Sequence, residues 1–186
     1  LKGWEFSYQQ DFTFLPWYFK NTGIQLNATH IDSELTYILD PGTVNATTGA
    51  VTKAPTYGTG PWLNASPDSL NLTVYYETEK FSARISAAQR AGYYTTYPIA
   101  SGACDVGLQT SGAACDAPLM NEFGGSEETL NVDFSLTWSP TKQLAVSLEG
   151  LNMINQTTNR YAYNQPVVTQ YGSTGRVITL GLRYKY

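Results

Sequence analysis

The side chains that most often carry catalysis or bind metals are scarce in this sequence. Its single histidine, His30, lies in a different segment from the two cysteines, Cys104 and Cys115. One histidine and two cysteines placed in this way do not make a zinc site of the common Cys/His type. A disulfide between Cys104 and Cys115 would close part of a long segment and contribute about 2–3 kcal/mol on chain-entropy grounds. We therefore predict a disulfide, with two free thiols as the alternative, and no metal site.

The acidic residues do not form an obvious catalytic set either. Glu5, Asp133 and Glu149 fall in different predicted strands, so a catalytic pair of carboxyl groups is not expected. The sequence has no Ser/His/Asp arrangement, no Gly-rich phosphate loop and no metal-binding motif. We predict that the chain is not an enzyme and that it needs no cofactor.

Aromatic side chains in the long connecting segments are better candidates for contacts with a ligand. Aromatic rings stack on sugars or flat chelates while a tyrosine hydroxyl hydrogen-bonds. An arginine at the base of a loop could attract an anionic solute, or it could pair with a neighbouring acid. The same aromatic residues could instead pack within the loops or lie at a membrane interface. The predicted ligand contacts are Tyr57, Trp62, Tyr93, Tyr94, Tyr97, Tyr161, Tyr163, Tyr171 and Arg160.

The composition of the chain excludes several classes of protein. The 186 residues carry 11 Lys and Arg against 15 Asp and Glu, for a net charge of −4. This acidic balance argues against a nucleic-acid-binding protein, which needs a basic surface. Aromatic residues reach 13% while charged residues reach only 14%, which argues against disorder. No apolar run approaches the roughly 18 residues of a membrane-spanning helix.

Strict alternation of apolar and polar residues predicts about seven β-strands. Successive side chains of a strand point to opposite faces, so a period of two gives each strand one apolar and one polar face. No Asp, Glu, Lys or Arg falls on the apolar side of any of these strands. The alternating segments are Trp4–Gln9, Ile24–Thr29, Leu70–Tyr76, Phe81–Ala88, Leu130–Trp138, Leu144–Glu149 and Arg176–Tyr186.

Alternating strands fit either a soluble sandwich, with the apolar faces inward, or an outer-membrane barrel, with the apolar faces in lipid. The connections favour the barrel because short turns alternate with long segments near 32–69, 91–128 and 152–175. Aromatic residues near the short turns would form one interfacial girdle, and His30 would lie at the opposite membrane edge. Bacterial barrels have even strand numbers, so about seven strands would be part of a larger barrel. The first residue is Leu, which we take as a sign that residue 1 is not the native start.

Segments along the whole chain are similar to successive strands and turns of one protein family. These segments are Leu1–Gln10, Phe12–Pro16, Gly23–Ser33, Asn71–Tyr76, Lys80–Arg90, Asn131–Ser139, Leu151–Asn152 with Asn155, and Thr174–Arg176 leading into Leu180–Tyr186. In this order they resemble the C-terminal third of a TonB-dependent outer-membrane receptor. The resemblance implies an all-β, antiparallel transmembrane segment that supplies about seven C-terminal strands of a 22-stranded barrel, with residues 1–186 lacking the plug and the earlier strands.

The resemblance also implies a function and a location. The receptor would lie in the outer membrane of a Gram-negative bacterium, bind a scarce siderophore or oligosaccharide with its extracellular loops, and import it with energy from the TonB complex. Its partners would be outer-membrane lipid, the plug domain and the remaining barrel strands, with a surface lipoprotein as a further candidate. The alternatives are a secreted β-sandwich that binds carbohydrate and a small passive outer-membrane barrel.

Overall fold

The structure, a computed structural model, describes residues 1–100, 119–163 and 167–186, and these residues form an all-β fold of antiparallel sheets. A short 3₁₀ helix, Trp17–Asn21, is the one helical element among them. In chain order the strands are β1 (Lys2–Asp11), β2 (Thr22–Asp32), β3 (Leu35–Asp40), β4 (Thr43–Val44), β5 (Val51–Lys53), β6 (Thr56–Gly60), β7 (Asp68–Glu77), β8 (Phe81–Arg90), β9 (Tyr93–Thr96), β10 (Ile99–Ala100), β11 (Leu119–Met120), β12 (Gly124–Ser126), β13 (Thr129–Trp138), β14 (Leu144–Leu151), β15 (Thr157–Ala162), β16 (Val167–Ser173) and β17 (Val177–Tyr184).

Seven of these strands form one sheet, which we call the wall. Its strand order is β1-β2-β7-β8-β13-β14-β17, so each strand is hydrogen-bonded to the wall strand that follows it in the chain. All six pairings are antiparallel. The seven segments predicted from alternation are therefore confirmed as strands, and they are the seven strands of the wall.

The register of the wall places every predicted apolar position on one continuous face. Phe6 lies opposite Ala28, Val74 lies opposite Ile85, and Ile85 lies opposite Phe134 in the next pairing. A slip of one residue at any pairing would move a strand's apolar set to the other face. The six registers therefore agree in building one apolar and one polar face across all seven strands.

The apolar face of the wall is exposed to its surroundings. Leu182 is 75% accessible, Leu180 74% and Ile85 60%, although all three lie in regular strands. The buried hydrophobic residues of the described chain are Tyr97 and Tyr161, and both lie outside the wall. Among the described residues, no second sheet covers this apolar face.

The opposite face of the wall carries hydrogen-bonded polar side chains. Ser7 donates to Asn27 across the β1–β2 pairing at 2.8 Å, and the hydroxyls of Thr73 and Ser86 lie 2.9 Å apart across β7 and β8. The Tyr75 ring lies over Gly23, where a Cβ would overlap it, and its hydroxyl bonds the Asp11 carboxylate. These contacts make the second face of the wall polar and hydrogen-bonded across its strands.

Aromatic residues gather at the turn end of the wall. Phe81 lies opposite Trp138 in the register, and the rings of Tyr76 and Phe81 are 6.0 Å apart. Trp17, in the 3₁₀ helix of the β1–β2 connection, is 84% accessible. At the other end of the wall, His30 lies opposite Trp4, with the two rings stacked at 5.9 Å.

The long segments differ from the prediction because they contain strands of their own. Strands β9, β12, β15 and β16 form a second sheet, the upper sheet, in the order β16-β15-β12-β9. The first long segment folds into an arm of two short hairpins, β3 with β6 and β4 with β5. These strands are short and interrupted by bulges, so an alternating pattern of sufficient length does not mark them in the sequence.

The wall is open, and both of its edge strands run in the same direction. Strand β1 runs from the end with the long segments to the end with the short turns, and β17 does the same. An antiparallel ring that included this wall would need an odd number of further strands. No helix in the described part of the chain is long and apolar enough to cross a membrane.

Candidate ligand-binding loops

The first long segment is held in shape by an ion pair near its tip. The Lys53 ammonium and the Gly42 backbone N–H both donate to the Asp40 carboxylate. Donation to the charged form favours that form, so the pKa of Asp40 is held below its ordinary value of 3.8. Gly42 has a φ of +74°, which glycine adopts without the penalty that a Cβ would bring. The pair therefore fixes the turn between β3 and β4.

A cluster of four aromatic rings joins the first long segment to the second. The Tyr97 ring stacks on Phe123 with centroids 4.0 Å apart, and Tyr37 meets Tyr97 edge-on at 5.1 Å. Tyr94 completes the cluster, with its ring 4.3 Å from that of Phe123. The Tyr97 hydroxyl donates to the Asn121 side chain at 2.5 Å. Offset and edge-on contacts of this kind stabilise beyond the area they bury.

Two glycines of β6 allow this aromatic cluster to form. A Cβ on Gly58 would overlap the Tyr97 hydroxyl, and one on Gly60 would lie 2.7 Å from Phe123 Cζ. Only a residue without a side chain lets the rings lie this close to the strand. The alternation of glycine in Thr56–Gly60 is thus a packing requirement of the loops.

Two tyrosines connect the second long segment to its neighbours, Tyr161 from the third long segment and Tyr93 through Arg90 of β8. Tyr161 is 6% accessible and lies across Gly125, where a Cβ would be 2.6 Å from its hydroxyl oxygen. The Tyr93 ring holds the Arg90 guanidinium over its face at 4.0 Å, a cation–π contact. Arg90 therefore packs on an aromatic ring at the loop end of β8.

Four of the predicted ligand contacts thus pack within the loops, and four others reach the surface. Tyr97 is 5% accessible, and with Tyr161, Tyr94 and Tyr93 it fits the packing interpretation of the loop aromatics. Among the described residues, no ring contact joins the exposed aromatic members of this predicted set to one another. The exposed residues are Tyr57, 56% accessible, Trp62, 51%, Tyr171, 66%, and Arg160; Tyr163 is half-buried with a φ of +55°.

Asn152 forms a buried junction between the wall and the upper sheet. Its side-chain amide donates to the backbone oxygens of Gln156 and Gly175 at 3.1 and 3.0 Å, and to the Thr174 hydroxyl at 3.2 Å. Its side-chain oxygen accepts from the Gln156 N–H at 2.6 Å. Its own N–H donates to the Asp133 carboxylate at 2.8 Å. One asparagine thus ties the end of β14 to the starts of β15 and β17.

The sequence contains few signals for the residues that the structure adds. Tyr37, Phe123 and Asn152 were not among the predicted contacts, yet they hold the loops together. The paired glycines Gly58 and Gly60 were a usable signal, because each marks a close approach. Cys104 and Cys115, the predicted disulfide, lie outside the described residues.

Neither a metal-binding cluster in the described residues nor a match to a known protein points to a function. No group of three or more His, Cys, Asp or Glu side chains that could hold a metal ion occurs in residues 1–100, 119–163 and 167–186. Comparison of the chain with sequence-family models, with curated proteins and with solved structures finds no match. The function must therefore be argued from the chain itself.

Proposed function

We propose that the chain forms part of the membrane wall and the extracellular loops of an outer-membrane receptor of the TonB-dependent class. In this proposal the receptor imports a scarce large solute, such as a siderophore or an oligosaccharide, and the chain performs no chemistry of its own. The observation that carries the proposal is the exposed apolar face, seven strands wide and free of charged residues across the middle of each strand.

An apolar face of this extent needs a cover that the described residues do not supply. Soluble monomers rarely leave contiguous apolar patches larger than a few hundred Å² exposed. Lipid is the cover that suits the pattern, because the strands have 8 to 11 residues and a tilted transmembrane strand needs about 9–11. The aromatic residues at the turn end, Trp17 and Trp138 among them, suit the headgroup level.

The polar face and the loops suit a receptor. Hydrogen-bonded polar side chains on the second face of the wall fit a lumen occupied by water or by a plug domain. Folded loops at one end, with short turns at the other, fit a binding surface above a membrane. Tyr57, Trp62 and Tyr171 offer exposed rings there, which stack well on sugars and flat chelates.

The open edges are consistent with a wall that other strands complete. An open sheet edge in lipid leaves backbone N–H and C=O groups unsatisfied at several kcal/mol each. A closed antiparallel ring needs an odd number of additional strands beside these seven, because β1 and β17 run in the same direction. A 22-stranded barrel of the family that the sequence resembles would add 15 strands to these seven, and 15 is an odd number.

The test of the proposal compares arginine substitutions on the two faces of β17. Leu182 is 75% accessible, so Leu182→Arg costs little if water covers that face. In a bilayer the same change should cost about 2–4 kcal/mol near the midplane. Thr179→Arg, in the same strand on the polar face, is the matched control and should be tolerated.

The measurement is the folded fraction of the membrane-inserted protein, followed by heat-modifiable migration on a gel and by urea titration in vesicles. A loss confined to Leu182→Arg supports the proposal. Equal tolerance of both changes would overturn the assignment of the apolar face to lipid. A soluble monomer that melts sharply in plain buffer would favour the secreted sandwich. A chain that closes alone into a heat-modifiable barrel would favour the small passive barrel.

A further inference from the structure

The upper sheet repeats the neighbour relations of the wall at each of three seams. Where β8 pairs with β13, their continuations β9 and β12 pair again above them. Strands β13 and β14 continue in the same way as β12 and β15, and β14 and β17 continue as β15 and β16. Each of these three pairs of neighbouring strands is therefore joined twice, once in the wall and once in the upper sheet.

The next seam would lie beyond β17 and β16, and no described strand occupies it. Strands β16 and β17 are both edge strands, and only residues 174–176 separate them. Strand β16 reads VVTQYGS, without a charged residue or a proline, and Val168 and Tyr171 are 58% and 66% accessible. Proteins usually protect such an edge with charge, proline or a bulge. Strand β16 has one register shift against β15, between Val168 and Gln170, but neither charge nor proline, so its outer edge is only partly protected against pairing.

We infer that one strand from outside the described residues, running from the turn end of the wall to the loop end, pairs with β17 and continues beyond the wall to pair with β16. This inference rests on the proposed function and extends it from the membrane wall to the loops. The partner is a polypeptide strand that runs antiparallel to Val167–Tyr184. It carries apolar residues at alternate positions beside Ile178, Leu180 and Leu182, where both strands would face lipid.

A second copy of the chain does not fit this edge. Both edge strands of the wall run from the loop end to the turn end, so a copy in the same orientation would offer β1 parallel to β17. A copy turned over to make the pairing antiparallel would place its loops on the other side of the membrane. The occupant is therefore a strand that runs upward, from a different segment of the assembled receptor.

Hydrogen–deuterium exchange on the protein in its native outer membrane tests this inference. The hairpin tip Thr43–Lys53 supplies an internal reference for weakly protected strands. We expect the amides of both Val167–Ser173 and Val177–Tyr184 to exchange at least about tenfold more slowly than this tip. If β17 is protected while β16 exchanges as fast as the tip, the inference is wrong and the proposed function stands. If β17 is also unprotected in the folded protein, the proposed function fails with it.

Proline substitutions at two neighbouring positions of β16 give a second, independent measurement. Neighbouring residues of a strand direct their N–H groups to opposite sides, so Gln170→Pro and Tyr171→Pro remove one donor toward β15 and one toward the outer edge. With both edges paired, each variant should lose protection across β16 relative to Gln170→Ala and Tyr171→Ala. If one proline variant keeps the protection of its alanine control, the outer edge is free and the inference is overturned.

Discussion

The wall and the loops of this protein use apolar side chains in opposite ways. In the wall, large apolar residues such as Leu180 and Leu182 lie in regular strands and remain about three-quarters accessible, at 74% and 75%. In the loops, Tyr97 and Tyr161 are almost fully buried, at 5% and 6%. The region with long regular strands thus leaves its large apolar residues exposed, whereas the region of short strands and loops packs on itself.

This difference indicates which interactions stabilise each region. The hydrogen-bond ladder joins the strands of the wall, and under the proposed function its apolar face would contribute once lipid replaces water beside it. The loops are stabilised by aromatic contacts among Tyr37, Tyr97 and Phe123 and by the asparagine junction at Asn152. If the proposed function holds, changes to the loops should lower stability in any solvent, whereas changes to the apolar face should lower it only in a membrane.

The largest expected effect in the loops comes from Tyr97→Ala. Removing a buried aromatic ring typically costs about 3–5 kcal/mol, and here it would leave Tyr37 and Phe123 without their shared contact. The matched control is Tyr171→Ala, at an exposed ring, which should change stability by no more than about 0.5 kcal/mol. Exchange of amides in Leu35–Gly60 is the measurement. If Tyr97→Ala also abolishes heat-modifiable migration, the two regions are not separate in stability and the comparison fails.

A second, smaller effect should follow Asn152→Ala at the junction of the two regions. The change leaves buried partners of Asn152 unsatisfied, at about 1–3 kcal/mol. Asn155→Ala is a matched control because Asn155 also has a positive φ, 57° against 53°, but lies exposed. The difference between the two variants, measured by urea titration in vesicles, reports the side-chain hydrogen bonds alone. Equal losses would show that backbone conformation, and not the hydrogen-bonded junction, matters at this position.

The smallest effect should be a pH dependence confined to the arm of the first long segment. The pKa of Asp40 is lowered in the folded state by donation from Lys53 and Gly42, so its contribution is present above about pH 3.8 and is lost as the pH falls through the folded pKa. Exchange at Thr43–Lys53 should therefore accelerate as the pH falls below about 3.8, after correction for intrinsic rates. Lys53→Met should raise the pKa of Asp40 toward its ordinary value, as measured by NMR titration. An unchanged pKa in that variant would contradict the assigned cause.

Much of the wall could be predicted from the sequence, and little of the loop packing could. A strand with one apolar face repeats every two residues over about ten positions, so segments such as Leu130–Trp138 are visible without any partner. The loop strands are too short for such a pattern, and β12 has only three residues. The burial of Tyr97 depends on Gly58, distant in sequence, and no local feature of Tyr97 indicates it.

The sequence by itself determined the number, position and two faces of the wall strands, because alternation is a local property of each strand. It also indicated which aromatic residues lie outside the wall, but not which of them are buried. Only the tertiary structure decided that Tyr97 and Tyr161 pack inward while Tyr57, Trp62 and Tyr171 stay exposed. The physical reason is that burial in the loops arises from contacts between segments far apart in the chain, and these exist only once the loops have folded against one another.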